Sequence, residues 1–315
     1  MKQAMTRRRR RLALGLALAA CALPFGAAHA ATLQVGPGHT YTSIAQAARA
    51  ARDGDVVEVQ AGDYRRDVAV WTQRQLVVRA VGGRVRLWAD GANAEGKGIW
   101  VVRGDILVQG FDFRGARVPD RNGAGIRFEA GRLQVVDCSF VDNENGILTA
   151  SDPQAELRIA QSLFQANGAG DGQSHNLYVG AIGRFSMTDS QSRDARVGHL
   201  LKSRAAVNEI HRNQLVDGNP GSASYELELP NGGVASVTEN VVRQAPGTQN
   251  STMVSYGAEG YRWARNELVL HNNTLIDDRP SGGVYLRVAP GQRSVELRGN
   301  LLQGASRTRA SVLTY

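Results

Sequence analysis

A short pattern recurs through residues 136–302: an apolar residue, a polar residue, then a small residue or asparagine, followed by further apolar residues. Its small or amide position falls at intervals of 24, 28, 23, 27, 33 and 27 residues, at Cys138, Ser162, Ser190, Asn213, Asn240, Asn273 and Asn300. A repeat of this length, built from short β-rich pieces and glycine turns, is typical of one coil of a parallel β-solenoid. The repeat therefore predicts an all-β solenoid with coils of about 22–33 residues.

The last four repeat positions are all asparagine. Stacked in successive coils, their side-chain amides are expected to bond to one another and to the backbone of adjacent turns, because buried polar groups need partners. Cys138 and Ser162 occupy the same column as small residues, so Cys138 is interpreted as a buried structural thiol. It is the only cysteine outside the first thirty residues, and no internal disulfide is expected.

The amino-terminal part predicts a cap for the solenoid. Residues 41–51 are alanine-rich after a threonine and a serine, which favours a short amphipathic helix. Residues 56–59 are expected to follow as a strand and residues 61–64 as a turn. A helix laid across the first coil would cover the open edge of the sheet.

The cap segment, YTSIAQAARAARDGDVVEVQAGDY at residues 41–64, resembles the amino-terminal cap of right-handed parallel β-helix proteins of the pectin-lyase-like superfamily. The resemblance covers nearly all of residues 31–315 and implies a single-stranded right-handed parallel β-helix. That superfamily includes lyases, hydrolases, epimerases, phage tailspikes and adhesins, so the fold alone fixes no reaction. No equivalent cap is found at the carboxyl end, where residues 310–315 predict one more strand and an oligomer is possible.

The first thirty residues indicate a secretory signal peptide, with a basic flank, a short apolar stretch and the sequence Ala28-His29-Ala30. We expect residues 1–30 to be removed and residues 31–315 to reach the periplasm or the extracellular space without a transmembrane segment. Residues 18–21, LAAC, resemble the lipobox of bacterial lipoproteins. Lipoprotein anchoring at Cys21 is therefore the alternative.

The leader also dominates the charge of the chain. It holds six of the 37 basic residues and no acidic ones, so the formal net charge falls from +8 to +2 on its removal. The basic character of the full chain is thus no argument for nucleic acid, and no nucleic-acid partner is expected. The remaining charge mildly favours an acidic polysaccharide as the partner.

The segment GHLLKS, residues 198–203, places a histidine and a lysine beside leucines that a solenoid strand would bury. Strand side chains alternate between core and solvent. The inward positions of six successive strands are predicted at Ile126, Ile147, Leu177, Leu201, Leu227 and Val254. One outward column then holds Arg127, Leu148, Tyr178, Lys202, Glu228 and Ser255. A second outward column is expected at Asn176, Leu200, Glu226 and Met253, with His175, His199 and Tyr225 stacked near the strand starts.

These columns predict a polar cluster suited to β-elimination in a uronate-containing polysaccharide. Elimination needs a base beside the sugar carboxylate, a positive group that offsets this carboxylate and an acid for the leaving oxygen. Lys202 is the first candidate for the base, and Tyr178 for the acid or an alternative base. His199 is a candidate relay, and Glu228 completes the catalytic set. The candidate substrate-binding residues are Asn176, His175, Glu226, Arg204 and Arg127.

A local resemblance supports this assignment. LLKSRAAVNEIHRNQL, residues 200–215, is similar to the Lys-Ser…Asn…Arg-Asn stretch of the β-helical lyases that include chondroitinase B and some alginate lyases. The resemblance implies that Lys202 is the base. Two features depart from that family. Glutamates 226 and 228 stand where it uses an arginine. Its acidic calcium ligands are missing before residue 198, so no metal and no other cofactor is expected. Charge neutralisation is expected from Arg204, Arg127 or His199.

Other interpretations stay open. The plainest is a cross-strand ion pair between Lys202 and Glu228, beside histidines that bond to backbone near the core. A glycan hydrolase would use Glu226 and Glu228 as paired carboxylates, although the motifs of β-helical polygalacturonases and alginate epimerases are not found. A non-catalytic polysaccharide-binding protein would combine the same polar strip with the aromatic residues Tyr225, Tyr256, Tyr261 and Trp263.

Overall fold

The structure, a computed structural model, describes residues 30–218, 221–304 and 311–312. The predicted signal peptide up to residue 29, including Cys21, lies outside these residues. All pairings between the described strands are parallel. They form two sheets that run along the whole solenoid. Within the described residues no helix is long and apolar enough to cross a membrane.

Each coil contributes strands to both sheets. The larger sheet has nineteen strands among the described residues: Thr32–Val35, Val56–Arg65, Leu76–Trp88, Asp105–Gln109, Phe111–Arg114, Arg132–Val136, Ser139–Val141, Glu156–Ala160, Leu163–Gln165, Arg184–Thr188, Gln191–Arg193, Val207–His211, Gln214–Val216, Val234–Thr238, Val241–Gln244, Glu267–His271, Thr274–Asp277, Ser294–Arg298 and Leu301–Gly304. The ten-strand sheet consists of Ala69–Trp71, Gly98–Val102, Ala124–Phe128, Asn145–Thr149, Leu177–Val179, Leu201–Ser203, Leu227–Leu229, Thr252–Tyr256, Val284–Val288 and Ser311–Val312. The predicted all-β solenoid is confirmed.

The predicted capping helix is confirmed as Ile44–Ala50. Ser43 and Gln46 form a capping box at its start, so the first free N–H groups of the helix have partners. The turn expected at residues 61–64 is wrong, because the strand Val56–Arg65 continues through a register shift between Gln60 and Gly62. A bulge of this kind bends a strand without ending it.

The interior between the sheets is filled with aromatic and aliphatic side chains. Phenylalanines from three successive coils stack on one another, with ring centroids 4.9 Å apart for Phe113 and Phe140 and 4.8 Å apart for Phe140 and Phe164. Burial of such rings provides much of the free energy that holds a solenoid together. The core therefore repeats from coil to coil, as the sequence does.

The predicted asparagine ladder is confirmed. The Nδ2 group of Asn213 donates to Asn240 Oδ1 at 3.1 Å, that of Asn240 to Asn273 Oδ1 at 3.0 Å, and that of Asn273 to Asn300 Oδ1 at 3.0 Å. The same oxygens accept backbone N–H groups of the preceding coil. Cys138 is buried in this column, and its backbone N–H donates to Ser162 Oγ at 3.2 Å.

A second ladder was not predicted. Asn143 Nδ2 donates to Asn167 Oδ1 at 3.0 Å, and Asn167 Nδ2 donates to Asn176 Oδ1 at 2.9 Å. Asn176 is fully buried and its own Nδ2 donates to the carbonyl of Arg193 at 2.8 Å. The expectation that Asn176 points outward to substrate is therefore wrong, because its amide satisfies backbone inside a corner of the coil.

The carboxyl-terminal coil leaves apolar side chains open to solvent. Leu297, Leu301 and Leu302 are among the most exposed large apolar residues of the described chain. Ser311–Val312 pairs with Val284–Val288, which agrees with the strand predicted at residues 310–315, although the rest of that segment lies outside the described residues. Oligomer formation through this end stays a prediction.

We expect the substitution Asn240→Ala to destabilise the fold by about 3 kcal/mol. It leaves buried amide and backbone groups in the coils on both sides without hydrogen-bond partners. The free energy of unfolding in urea is the measurement. The matched control is Asn122→Ala, at an exposed position, which is expected to change this energy by less than about 0.5 kcal/mol. Equal stability of the two variants would show that the ladder is not what holds adjacent coils in register.

Candidate functional site

The predicted outward column exists on the ten-strand sheet. Arg127 pairs in register with Leu148, Leu148 with Tyr178, Tyr178 with Lys202, Lys202 with Glu228 and Glu228 with Ser255. The six inward positions predicted beside this column are all buried. The alternation inferred for these strands is therefore confirmed, and it brings Tyr178, Lys202 and Glu228 together on consecutive coils.

The second predicted outward column is wrong. Leu200, Glu226 and Met253 are fully buried, as Asn176 is. The strands at Leu177–Val179, Leu201–Ser203 and Leu227–Leu229 are only three residues long. The alternation of a strand does not extend into the corner that precedes it, so Asn176, Leu200 and Glu226 turn inward. Met253 lies within the strand Thr252–Tyr256, every residue of which is buried.

Lys202, Glu228 and His199 form the centre of the site. Lys202 Nζ lies 2.9 Å from Glu228 Oε2, and His199 Nε2 lies 2.8 Å from the same oxygen. Only 12% of the Lys202 side chain is exposed. A single carboxylate oxygen thus links a lysine at the surface to a histidine behind it.

A residue that the sequence analysis missed completes this centre. Glu259 lies on the loop 257–266, and its Oε1 is 3.0 Å from Lys202 Nζ. Its Oε2 is 2.7 Å from Arg204 NH1. Lys202 in the strand Leu201–Ser203 and Arg204 directly after it therefore converge on one carboxylate. The signal that marks this loop is the longest repeat interval, 33 residues between Asn240 and Asn273.

Arg204 also organises Tyr178 and the turn beneath the loop. Its Nε donates to the Tyr178 hydroxyl at 3.0 Å, and its NH1 donates to Asn231 Oδ1 at 2.5 Å. Asn231 in turn donates to the carbonyl of Gly260 at 3.0 Å, which ties the Glu259 loop to the same turn. The Tyr178 hydroxyl accepts from Arg204, so its own proton is free for a further acceptor.

The predicted histidine stack is present. The rings of His175 and His199 are 4.4 Å apart and those of His199 and Tyr225 are 5.0 Å apart. The backbone N–H of His199 donates to His175 Nδ1 at 3.0 Å, which leaves the ring proton of a neutral His175 on Nε2. Burial lowers the pKa of both histidines, well below the ordinary value for His175. Both rings are therefore neutral at neutral pH.

The two carboxylates that contact Lys202, Glu228 and Glu259, stay charged. The Arg204 hydrogen bond, followed by that of Lys202, outweighs partial burial and lowers the pKa of Glu259 to about 2. Burial alone would raise the pKa of Glu228, but the hydrogen bond of His199 and the charge and hydrogen bond of Lys202 hold it below its ordinary value. Without a ligand, the cations of the site are thus paired with two charged carboxylates, with which an acidic ligand would have to compete.

Glu226 does not belong to this surface. It is fully buried and neither carboxylate oxygen has a hydrogen-bond partner. Burial raises its pKa well above the ordinary value, and the nearby charges of Asp217 and Asp277 act in the same direction. The expectation that Glu226 binds substrate is wrong, and so is its pairing with Glu228 as accessible hydrolase carboxylates.

The other aromatic candidates differ in accessibility. Tyr256 is fully buried and its hydroxyl donates to the carbonyl of Gly233 at 2.5 Å, so it is not available to a glycan. Trp263 Nε1 donates to the carbonyl of Arg204 at 3.1 Å and fixes the Glu259 loop.

Among residues 30–218, 221–304 and 311–312, no group of three or more His, Cys, Asp or Glu side chains is arranged to hold a metal ion.

A groove of about 580 Å³ adjoins the cluster on its amino-terminal side. Its floor includes Arg127, Leu148 and Tyr178 of the outward column, and its walls include the loops 120–122 and 171–173. Tyr178 lines the groove and its hydroxyl accepts from Arg204, so the groove and the charged cluster meet at this residue.

No protein-family model and no curated protein matches this sequence. Among solved structures, the chain is similar to pectate lyase Pel9A, with a TM-score of 0.60 and 13% identity over 89% of this chain and 77% of that one. It is also similar to tailspike protein gp49 of the Acinetobacter baumannii bacteriophage Fri1, a capsular polysaccharide depolymerase, with a TM-score of 0.50 and 9% identity over 88% of this chain and 62% of that one. The chain therefore has the right-handed parallel β-helix fold of the pectin-lyase-like type.

We expect Glu226→Gln to stabilise the protein at neutral pH and to have little effect near pH 4. The folded protein keeps Glu226 protonated, whereas the unfolded chain releases this proton above about pH 4.3. The wild type therefore loses stability as pH rises from there to the folded pKa, by about 1.4 kcal/mol per pH unit, and glutamine does not. Free energies of unfolding between pH 4 and pH 8 are the measurement.

The control for this pH profile is Glu239→Gln, the same substitution at an exposed position. If Glu226→Gln is instead less stable than the wild type by the same amount at every pH, the buried side chain is a partnered carboxylate and this interpretation of it is wrong.

Proposed function

We propose that this protein is an exported polysaccharide lyase that cleaves a uronate-containing polysaccharide by β-elimination. The observation that carries the proposal is the convergence of Lys202 and Arg204 on the carboxylate of Glu259. That side chain is 45% exposed and belongs to a surface loop. A sugar carboxylate that displaces Glu259 meets the same two cations.

The cationic pair supplies the charge neutralisation that elimination requires. An Arg side chain presents two parallel N–H donors to a carboxylate, and a lysine adds a compact charge. With the sugar carboxylate neutralised, the proton on the adjacent carbon becomes more acidic. Arg204 and Lys202 therefore both orient the uronate and stabilise the charge that develops when this proton leaves.

Lys202 and Tyr178 supply the proton transfers. Lys202 Nζ, as a neutral amine, takes the proton from the carbon beside the carboxylate. The electron pair of that C–H bond forms the new double bond as the glycosidic C–O bond breaks, and the leaving oxygen takes the proton of the Tyr178 hydroxyl.

For this role Lys202 must first give up a proton. In the free protein its nitrogen contacts Glu228 and Glu259. Glu228 Oε2 is 2.9 Å away and also contacts His199. We assign the Glu228 carboxylate as the acceptor of that proton, and the hydrogen bond between His199 and the same oxygen holds this carboxylate in place.

The structural neighbours support a polysaccharide as the partner. One is by its name a pectate lyase and the other a capsular polysaccharide depolymerase. The secretory leader expected at residues 1–30 is consistent with a substrate outside the cytoplasm.

A non-catalytic polysaccharide-binding protein is the second candidate. The contacts of Lys202 with two carboxylates favour it, because a lysine held in this way acts first as a positive charge. In that case Lys202 and Arg204 bind an acidic glycan and no bond is broken.

The test uses the ultraviolet absorbance of unsaturated uronates, measured with purified protein on alginate, pectate, glycosaminoglycans and bacterial exopolysaccharides. We expect one polymer to give a rise in absorbance that Lys202→Ala abolishes. Arg158→Ala, which removes a cation that is 60% exposed on the larger sheet, should leave the rate unchanged.

Lys202→Arg separates the two candidate functions. It keeps the charge but cannot act as a neutral base, so a lyase should lose at least about a hundredfold in kcat while it still binds the polymer. A rate close to that of the wild type would exclude Lys202 as the base. Binding by calorimetry without any rise in absorbance on the whole panel would establish the binding protein instead.

A further inference from the structure

We propose that the groove beside Tyr178 binds a second acidic sugar of the same polysaccharide chain, at Arg127, so that the ligand is a linear polyanion laid along the solenoid axis. This inference rests on the proposed function, in which Lys202 and Arg204 hold the first carboxylate. It adds a second anionic subsite and a direction for the bound chain.

The separation of Arg127 and Lys202 in the sheet determines how long a ligand must be to contact both. Arg127 and Lys202 lie in one outward column, separated by Leu148 and Tyr178 on the intervening coils. Neighbouring strands are about 4.8 Å apart, so the two cations are separated by roughly 14 Å along the axis. One sugar does not reach both cations, whereas a short oligosaccharide does.

Arg127 forms only a weak ion pair with the nearest carboxylate. Its Nε lies 3.7 Å from Glu129 and has no hydrogen-bond partner. Glu129 is already held at 2.6 Å by both Lys97 and Arg103. About 24% of the Arg127 side chain is exposed, and it lines the groove. A partly buried guanidinium whose carboxylate neighbour is held mainly by other cations can bind a further carboxylate strongly.

The floor between the two cations suits sugar rings. Leu148 and Tyr178 present an apolar side chain and an aromatic ring to the groove, and ligand sites commonly combine such surfaces with a few polar groups that fix orientation. Arg121 stiffens the wall, because its NH2 donates to the carbonyl of Ala169 at 2.7 Å and its Nε lies 3.6 Å from Asp171. The wall carries two acidic residues, Asp120 and Asp171, and the contact with Arg121 partly neutralises Asp171.

The direction follows from the loop that carries Glu259. This loop follows the strand Thr252–Tyr256, two coils beyond Lys202 toward the carboxyl terminus. The groove lies on the opposite side of Lys202, over the coils that carry Leu148 and Arg127. From the first carboxylate, the bound chain therefore extends toward the amino-terminal coils.

Calorimetry with size-defined oligogalacturonates and oligomannuronates, from the disaccharide upward, tests the inference. The titrations use Lys202→Arg, which keeps the ligands intact, with and without Arg127→Gln. Affinity is expected to increase with length, and Arg127→Gln should lower it about tenfold or more for the longer ligands only. The control is Arg132→Gln, whose side chain is 74% exposed on the larger sheet.

An equal loss for the shortest and longest ligands, or no loss for the longest, would overturn the second subsite. Failure of every probe to bind would overturn it as well. Length-dependent binding that requires Arg127, combined with no elimination by the wild type, would leave the groove established and reject the lyase. Elimination by the wild type, combined with binding that does not depend on Arg127, would support the lyase and reject the second subsite.

Discussion

The hydrogen bond from one asparagine side chain to the next coil is the constraint on which the rest of this structure depends. At four successive corners a buried backbone N–H would be left without a partner, and the amide oxygen of the following coil accepts it, as Asn240 does for Asn213. This bond fixes the register between coils. Because the register is fixed, outward side chains of successive coils fall into one column, and Tyr178, Lys202 and Glu228 become neighbours although they are far apart in sequence.

The candidate site on this solenoid contains equal numbers of positive and negative side chains. Lys202 and Arg204 provide two positive charges, and Glu228 and Glu259 provide two negative ones. Glu228 lies behind the surface and contacts His199, whereas Glu259 reaches in from a loop. In the proposed function, an acidic ligand exchanges with the carboxylate at the surface while the one beneath stays in place. Affinity in such a site depends on the difference between two similar ion pairs, which favours ligands that also contact other subsites.

The sequence predicts the repeating parts of this molecule well and the irregular parts poorly. Its period and its asparagines identify the solenoid, the ladder and the outward column, because these recur in every coil. Asn176 and Glu226 were misplaced because strands of three residues give too little alternation to set the direction of the residues before them. Glu259 was missed because it lies on an insertion, where no periodic pattern applies. The fold is therefore encoded in the repeat, and the chemistry depends on departures from it.

The most direct test of the central claim is a crystal structure of the Lys202→Arg protein with an acidic oligosaccharide that it binds. The account predicts a sugar carboxylate within hydrogen-bonding distance of Arg204 and of residue 202, with the Glu259 side chain displaced from both. A bound oligosaccharide elsewhere, with Glu259 still paired to Arg204, would contradict it.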